Sequence, residues 1–153
     1  MTTTTEQYYA AQAKKALEIV CTGDLSRIDE FFHSDFVDHV NDMTFYGHEG
    51  GRESVGFYLA IFKNLRMGAE EQVTEGNRVA TRWVLNGEYH KRPVTLRGIT
   101  ISRFGEDGRT LEDHGHTDSI SLVRQLGVIR TLILGAEILT RRVKLPKGAL
   151  GSA

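Results

Sequence analysis

The sequence predicts an α+β domain, with helices at the front of the chain packed on a curved antiparallel sheet and one further helix at the C-terminus. Two observations carry this. Apolar residues recur at helical spacing as far as Leu65, whereas after Gly68 four segments take on strand character. The breaks at Glu75-Gly76-Asn77 and Glu106-Asp107-Gly108 have the turn chemistry of hairpins.

The elements follow in order. Residues 1–6 are Thr-rich and read as a frayed tail ahead of a domain over 7–127, with a terminal helix and frayed end over 128–153. The Ala-rich segment from Gln7 to Val20 places Tyr8, Ala11, Ala16 and Ile19 at near-helical spacing, and Gly23 ends it. Cys21 reads as a small core residue at the end of that helix. Asp24 is the N-cap of a short second helix reaching about Phe32. Asp35–Asn41 is a strand, and the loop after it carries Met43, Phe45 and Tyr46, large residues suited to a lid. Gly47–Gly51 is a loop, and Glu53–Leu65 is the third helix. Strands are expected over 70–74, 78–88, 95–104 and 110–118. Ser119–Leu126 and Val128–Val143 are helical, and the chain frays from Pro146 and Gly148 onward.

Composition narrows the function. With 19 Lys+Arg against 20 Asp+Glu there is no basic excess of the kind nucleic acid requires. A single cysteine excludes disulfide scaffolds and thiolate metal clusters. The start of the chain lacks the basic and apolar regions of a secretory signal. Charges at Arg130, Glu137, Arg141 and Arg142 interrupt the apolar terminal segment, so no membrane span is expected and a cytoplasmic protein is the default.

The stretch Leu111–Asp118 is the densest in chemistry-bearing residues. On a strand, His114, His116 and Asp118 share one face, with Glu112 one step behind. Two imidazoles and a carboxylate are costly to bury without a purpose and are suited to proton transfer, so this face is expected to line a pocket. Asp118 reads either as a general base or as the cap of the helix after it. His116 and His114 read as proton relay or oxyanion donors, or as residues of a solvated rim. A β-bulge near Gly115 would break the alternation. The His-x-His-x-Asp run contains ligand types for zinc or iron, but three residues on one strand are a weak metal signature and none is assigned. His39 and Asn41 share a face of the first strand and read as further donors, with a structural histidine as the alternative.

Five segments in order resemble one family: His33-Ser-Asp-Phe-Val-Asp-His39, Gly50-Gly-Arg-Glu-Ser-Val55, Glu75-Gly-Asn-Arg-Val-Ala-Thr-Arg-Trp83, Arg97-Gly-Ile-Thr-Ile-Ser-Arg-Phe104 and Asp118-Ser-Ile-Ser-Leu-Val-Arg-Gln-Leu-Gly127. From about Tyr8 to Gly127 the chain resembles the SnoaL-like polyketide cyclases. Their cone-shaped fold is shared with nuclear transport factor 2 and ketosteroid isomerase. The resemblance implies ring closure by an intramolecular aldol step, without a cofactor or a metal. One acid would take a proton next to a carbonyl while His and Asn side chains hold the enolate oxygen. It carries that acid to Asp118 and one histidine to His39. His114 stands where family members often have Trp, and Ser121 where they have Gly, which makes the pocket more polar.

Limonene-epoxide hydrolase shares the cone fold and uses an Asp-Arg-Asp set. Here Arg82 matches the arginine but Val84 replaces the second acid, which disfavours epoxide opening unless Asp38 or Glu112 supplies it. Arg82 reads as an exposed sheet residue or as a partner of Asp118. Trp83, Tyr58 and Phe62 offer aromatic surface to a substrate, with ordinary core as the alternative. The expected activity is acid–base cyclisation or keto–enol isomerisation of a hydrophobic carbonyl compound. A non-catalytic binding module and an epoxide hydrolase are the alternatives. The terminal helix suggests a homodimer; Arg141, Arg142, Lys144 and Lys147 give a membrane-surface helix as the minority reading.

Overall fold

The computed structural model describes residues 4–140, which form four helices on a six-stranded sheet. Helix α1 (Thr4–Thr22) buries Tyr9, Ala13 and Ile19. It begins within the stretch expected to fray. Gly23, at φ 69°, ends it by donating its N–H to the Ile19 carbonyl. Cys21 is exposed rather than core, and its Sγ accepts from the Met67 N–H at 3.0 Å. The second helix is shorter than expected: a 3-10 turn over Leu25–Arg27, capped by Asp24, runs into α2 (Ile28–Phe31). Strand β1 (Phe32–Val40) follows.

The expected lid after β1 is instead a strand, β2 (Met43–Tyr46), which pairs with β1 and buries Phe45. Helix α3 (Gly47–Ile61) starts earlier than its apolar pattern suggested, because Gly50 and Gly51 are buried against Phe45 and Ile28. Leu65 and Gly68 belong to β3 (Lys63–Glu75), which continues through hairpins into β4 (Arg78–Tyr89) and β5 (Arg92–Phe104). Strand β6 (Thr110–Thr117) leads into α4 (Ser119–Leu139), where Gly127 leaves helical geometry at φ 72° and divides the helix in two, as the sequence suggested. Residues 141–153, including Arg141, Arg142, Lys144, Pro146 and Lys147, lie outside the described residues.

The sheet order is β2-β1-β6-β5-β4-β3. All neighbours are antiparallel except β1 and β6, so the sheet is mixed rather than purely antiparallel. Along β4 the residues Val79, Thr81, Trp83, Leu85 and Tyr89 are buried, while Arg78, Arg82 and Asn86 are exposed. This period-two pattern fixes the inner face of the sheet. α1 and α3 cover that face, with Leu17, Val20, Tyr58 and Leu59 packed against a core of Trp83, Leu85, Leu96 and Leu126. No helix among the described residues is long and apolar enough to cross a membrane.

Candidate active site

Between α1, α3 and the inner face of the sheet lies a cavity of about 130 Å³. Its walls are largely apolar: Leu17 and Val20 from α1, Phe36 and Val40 from β1, Val55 from α3, and Trp83 and Leu85 from β4. Polar groups enter at chosen points. The Trp83 Nε1 donates to Thr100 Oγ1 at 3.0 Å, and Tyr58 Oη lies 3.3 Å from Thr117 Oγ1. Burial pushes the Tyr58 phenol up, which keeps it neutral.

Two carboxyls complete the lining, and among the described residues they are the only ones in it: Asp38 on β1 and Asp113 on β6. They are register partners across the parallel β1–β6 pair. Neighbouring strands run about 4.8 Å apart, so the two acids stand side by side on the inner face. Asp113 also faces Ser102 on β5, and Asp38 is hydrogen-bonded by Ser54 from α3. Asp113 Oδ1 is buried without a hydrogen-bond partner.

Removal from water penalises the charged form of each acid. Burial is the largest cause for both, raising Asp38 to about 6 and Asp113 to about 8. The Asp38 charge raises Asp113 further, whereas Ser54 and His114 draw Asp38 back down. Burial and the repulsion between two neighbouring carboxylates both favour keeping a proton on the pair. One group can accept a proton while its neighbour donates one.

The residues expected from sequence are placed differently. His114 and His116 do share a face of β6 with Glu112, but it is the outer face. The cause is a bulge at Leu111. Phe104 pairs with Thr110, yet Arg103 pairs with Glu112, so one extra residue enters β6. Thr110 points into the cavity, and the bulge then turns Asp113, Gly115 and Thr117 inward in place of Glu112, His114 and His116. The bulge precedes Gly115, where the sequence had suggested one.

Asp118 lies past the end of β6 and caps α4, accepting the Ser121 N–H at 3.0 Å; it does not line the cavity. His39 stacks on His114 across β1 and β6 on the outer face, with ring centroids 4.5 Å apart. Asn41 sits in the β1–β2 turn at φ 52° and accepts the Thr117 N–H. Arg82 is exposed and ion-pairs with Glu70 and Glu71. Phe62 is buried in the core beside the cavity without lining it, whereas Tyr58 and Trp83 do line it.

Alternation along 111–118 sets Asp113 on the face opposite His114 and His116, and no local pattern locates the bulge that turns that face inward. From the sequence, Asp38 stands out only as a substitute acid for epoxide chemistry. The available signal was the β4 alternation, which fixes the inner face and carries through the β5 register to Ser102.

The SnoaL-like domain family matches residues 6–112. The chain belongs to that family. The matched stretch includes Asp38 and ends before Asp113 and Asp118. Among solved structures, wild-type IdmH from Streptomyces antibioticus, a candidate polyketide cyclase, is 25% identical with TM-score 0.69, covering 78% of this chain and 99% of IdmH. A candidate polyketide cyclase from Bacillus cereus is 23% identical, covering 78% of this chain and 80% of its own, with TM-score 0.69. PrhC from Penicillium brasilianum is 13% identical but covers 92% of this chain and 98% of its own, with TM-score 0.75. Among curated proteins none matches. These likenesses show the α+β fold.

Proposed function

We propose that this SnoaL-like protein is a cofactor-independent cyclase- or isomerase-type enzyme acting on a hydrophobic carbonyl compound, with Asp38 and Asp113 as its working acids. The carrying observation is their placement side by side as the only carboxyls of an otherwise apolar, aromatic-walled cavity among the described residues. Asp38, bonded by Ser54, acts as the carboxylate and removes a proton from the carbon next to the carbonyl. The C–H electron pair moves to the carbonyl oxygen. Asp113, protonated, donates its O–H to that oxygen, as a carboxyl kept neutral in an apolar site can. Return of the proton to another carbon isomerises the compound. Attack of the enolate carbon on a second carbonyl closes a ring, and the new alkoxide takes the Asp113 proton. Tyr58 and Trp83 supply surface for a flat substrate. The outer side of α4 serves a homodimer.

Catalysed hydrogen–deuterium exchange at the α-carbon of a bicyclic aromatic ketone, followed by NMR in D2O, tests this reading. The wild-type protein accelerates exchange, and Asp38→Asn lowers the rate about 10²- to 10⁴-fold. Ketone binding without exchange would establish a binding module instead.

One observation favours a second reading. The cavity holds two carboxyls, which supports an acid pair for epoxide opening even though the matched Arg82 lies outside the lining. A carboxylate taking a proton from water, with the neighbouring acid protonating the epoxide oxygen as its C–O bond breaks, would give a diol. Diol formation from a hydrophobic epoxide, with no ketone exchange, would select this alternative.

A further inference from the structure

The outer face of the β1–β6 pair carries a second cluster, separate from the cavity. We infer that His39, Glu112 and His114 form a binding site for a divalent transition-metal ion of the zinc class. One nitrogen or oxygen atom from each of the three lies within 4.8 Å of the others. Glu112 Oε1 is the common vertex, 3.3 Å from His114 Nε2 and 3.8 Å from His39 Nε2. Bonds of about 2.1 Å in a tetrahedral site set ligand atoms about 3.4 Å apart, so small side-chain adjustments bring all three onto one ion.

The surroundings support ligation. Arg103 Nε donates to Glu112 Oε2 at 2.9 Å, which orients the carboxylate and leaves Oε1 for the ion. His39 Nδ1 lies 3.2 Å from Thr44 Oγ1, a bond that fixes the ring and leaves Nε2 as the ligand atom. His39 and His114 are register partners on adjacent strands, so the sheet holds their spacing. Two imidazoles and one carboxylate suit Zn²⁺, Ni²⁺ or Cu²⁺; Ca²⁺ and Mg²⁺ favour all-oxygen sets. His114 is half exposed, which leaves coordination positions open to water or an outside ligand. The ion would tie β1 to β6 from the side opposite Asp38 and Asp113. The assignment stands independently of the reaction proposed for the cavity.

The test is titration of the chelator-treated full chain with Co²⁺ and Zn²⁺ at neutral pH, read by Co²⁺ visible absorption and by calorimetry. One ion should bind per chain, with the absorption bands of a nitrogen–oxygen site. His39→Ala, Glu112→Gln and His114→Ala should each weaken binding tenfold or more. His116→Ala, on the same face one step along, should leave it unchanged. Circular dichroism of each metal-free variant separates lost binding from lost folding. Absence of binding to the wild type, or binding indifferent to the three substitutions, overturns the assignment. Equal loss in His116→Ala overturns it as well.

Discussion

At the scale of single residues, burying the cavity acids makes stability depend on pH. Asp113 is raised from 3.8 to about 8, so the folded chain keeps a proton that the unfolded chain releases. Its favourable contribution is complete below about pH 4 and is lost as pH rises through 8. Asp113→Asn removes the titration while keeping the shape. The variant should match the wild type near pH 4 and exceed it increasingly up to pH 8, by on the order of 1 kcal/mol per pH unit at most. Thermal melts across that range, with chelator present, check this; a parallel pH dependence in both proteins would show that the Asp113 proton does not differ between the two states. Asp118 gives the opposite pattern. As the α4 cap, its replacement in Asp118→Ala should cost about 0.5–2 kcal/mol of stability. It should leave α-carbon exchange within a few-fold of wild type. A rate loss as large as that of Asp38→Asn would return the catalytic role to Asp118.

At the scale of elements, the register of β6 decides which chemistry meets the cavity. The sequence conveyed the helices-then-strands order, the β4 segment and the division of α4 at Gly127, because each is a local pattern. It did not convey β2, whose four residues form a strand only through pairing with β1. Nor did it reveal the Asp38–Asp113 pair. That pair depends on a parallel contact between residues 75 positions apart and on the bulge at Leu111. A one-residue slip exchanges both faces of a strand, so the correct alternation of His114 and His116 led to the wrong side. The neighbouring strand has a constraint of its own. A Cβ at Gly98 would collide with the Trp83 ring and the His116 carbonyl, so the indole lies against the backbone of β5. Gly98→Ala should therefore destabilise the fold by about 1–3 kcal/mol and displace Trp83, measured as a lower Tm with a shifted tryptophan emission. Unchanged melting and emission would mean that the sheet yields there without cost.

At the scale of the whole molecule, the second half of α4 attaches to the domain on one side only. Leu134 packs towards the core, and Glu137 accepts from Tyr89 Oη at 2.9 Å and lies 2.8 Å from His90 Nε2. The opposite side presents Val128, Ile129, Leu132 and Leu139, exposed by 76, 75, 68 and 84%. Apolar side chains at this spacing make a continuous stripe along a helix, and stripes of this kind mark contact surfaces. A second copy is the simplest occupant, because a two-fold axis lets one stripe cover its equivalent. The full chain should therefore sediment as a dimer at micromolar concentration, and Leu132→Glu should shift it to monomer by placing two carboxylates at the contact. Leu132 lies outside the cavity lining, so the variant should keep its α-carbon exchange activity per chain. A wild-type monomer would leave the stripe to another partner, whereas loss of exchange on dissociation would mean that the second copy helps to shape the cavity.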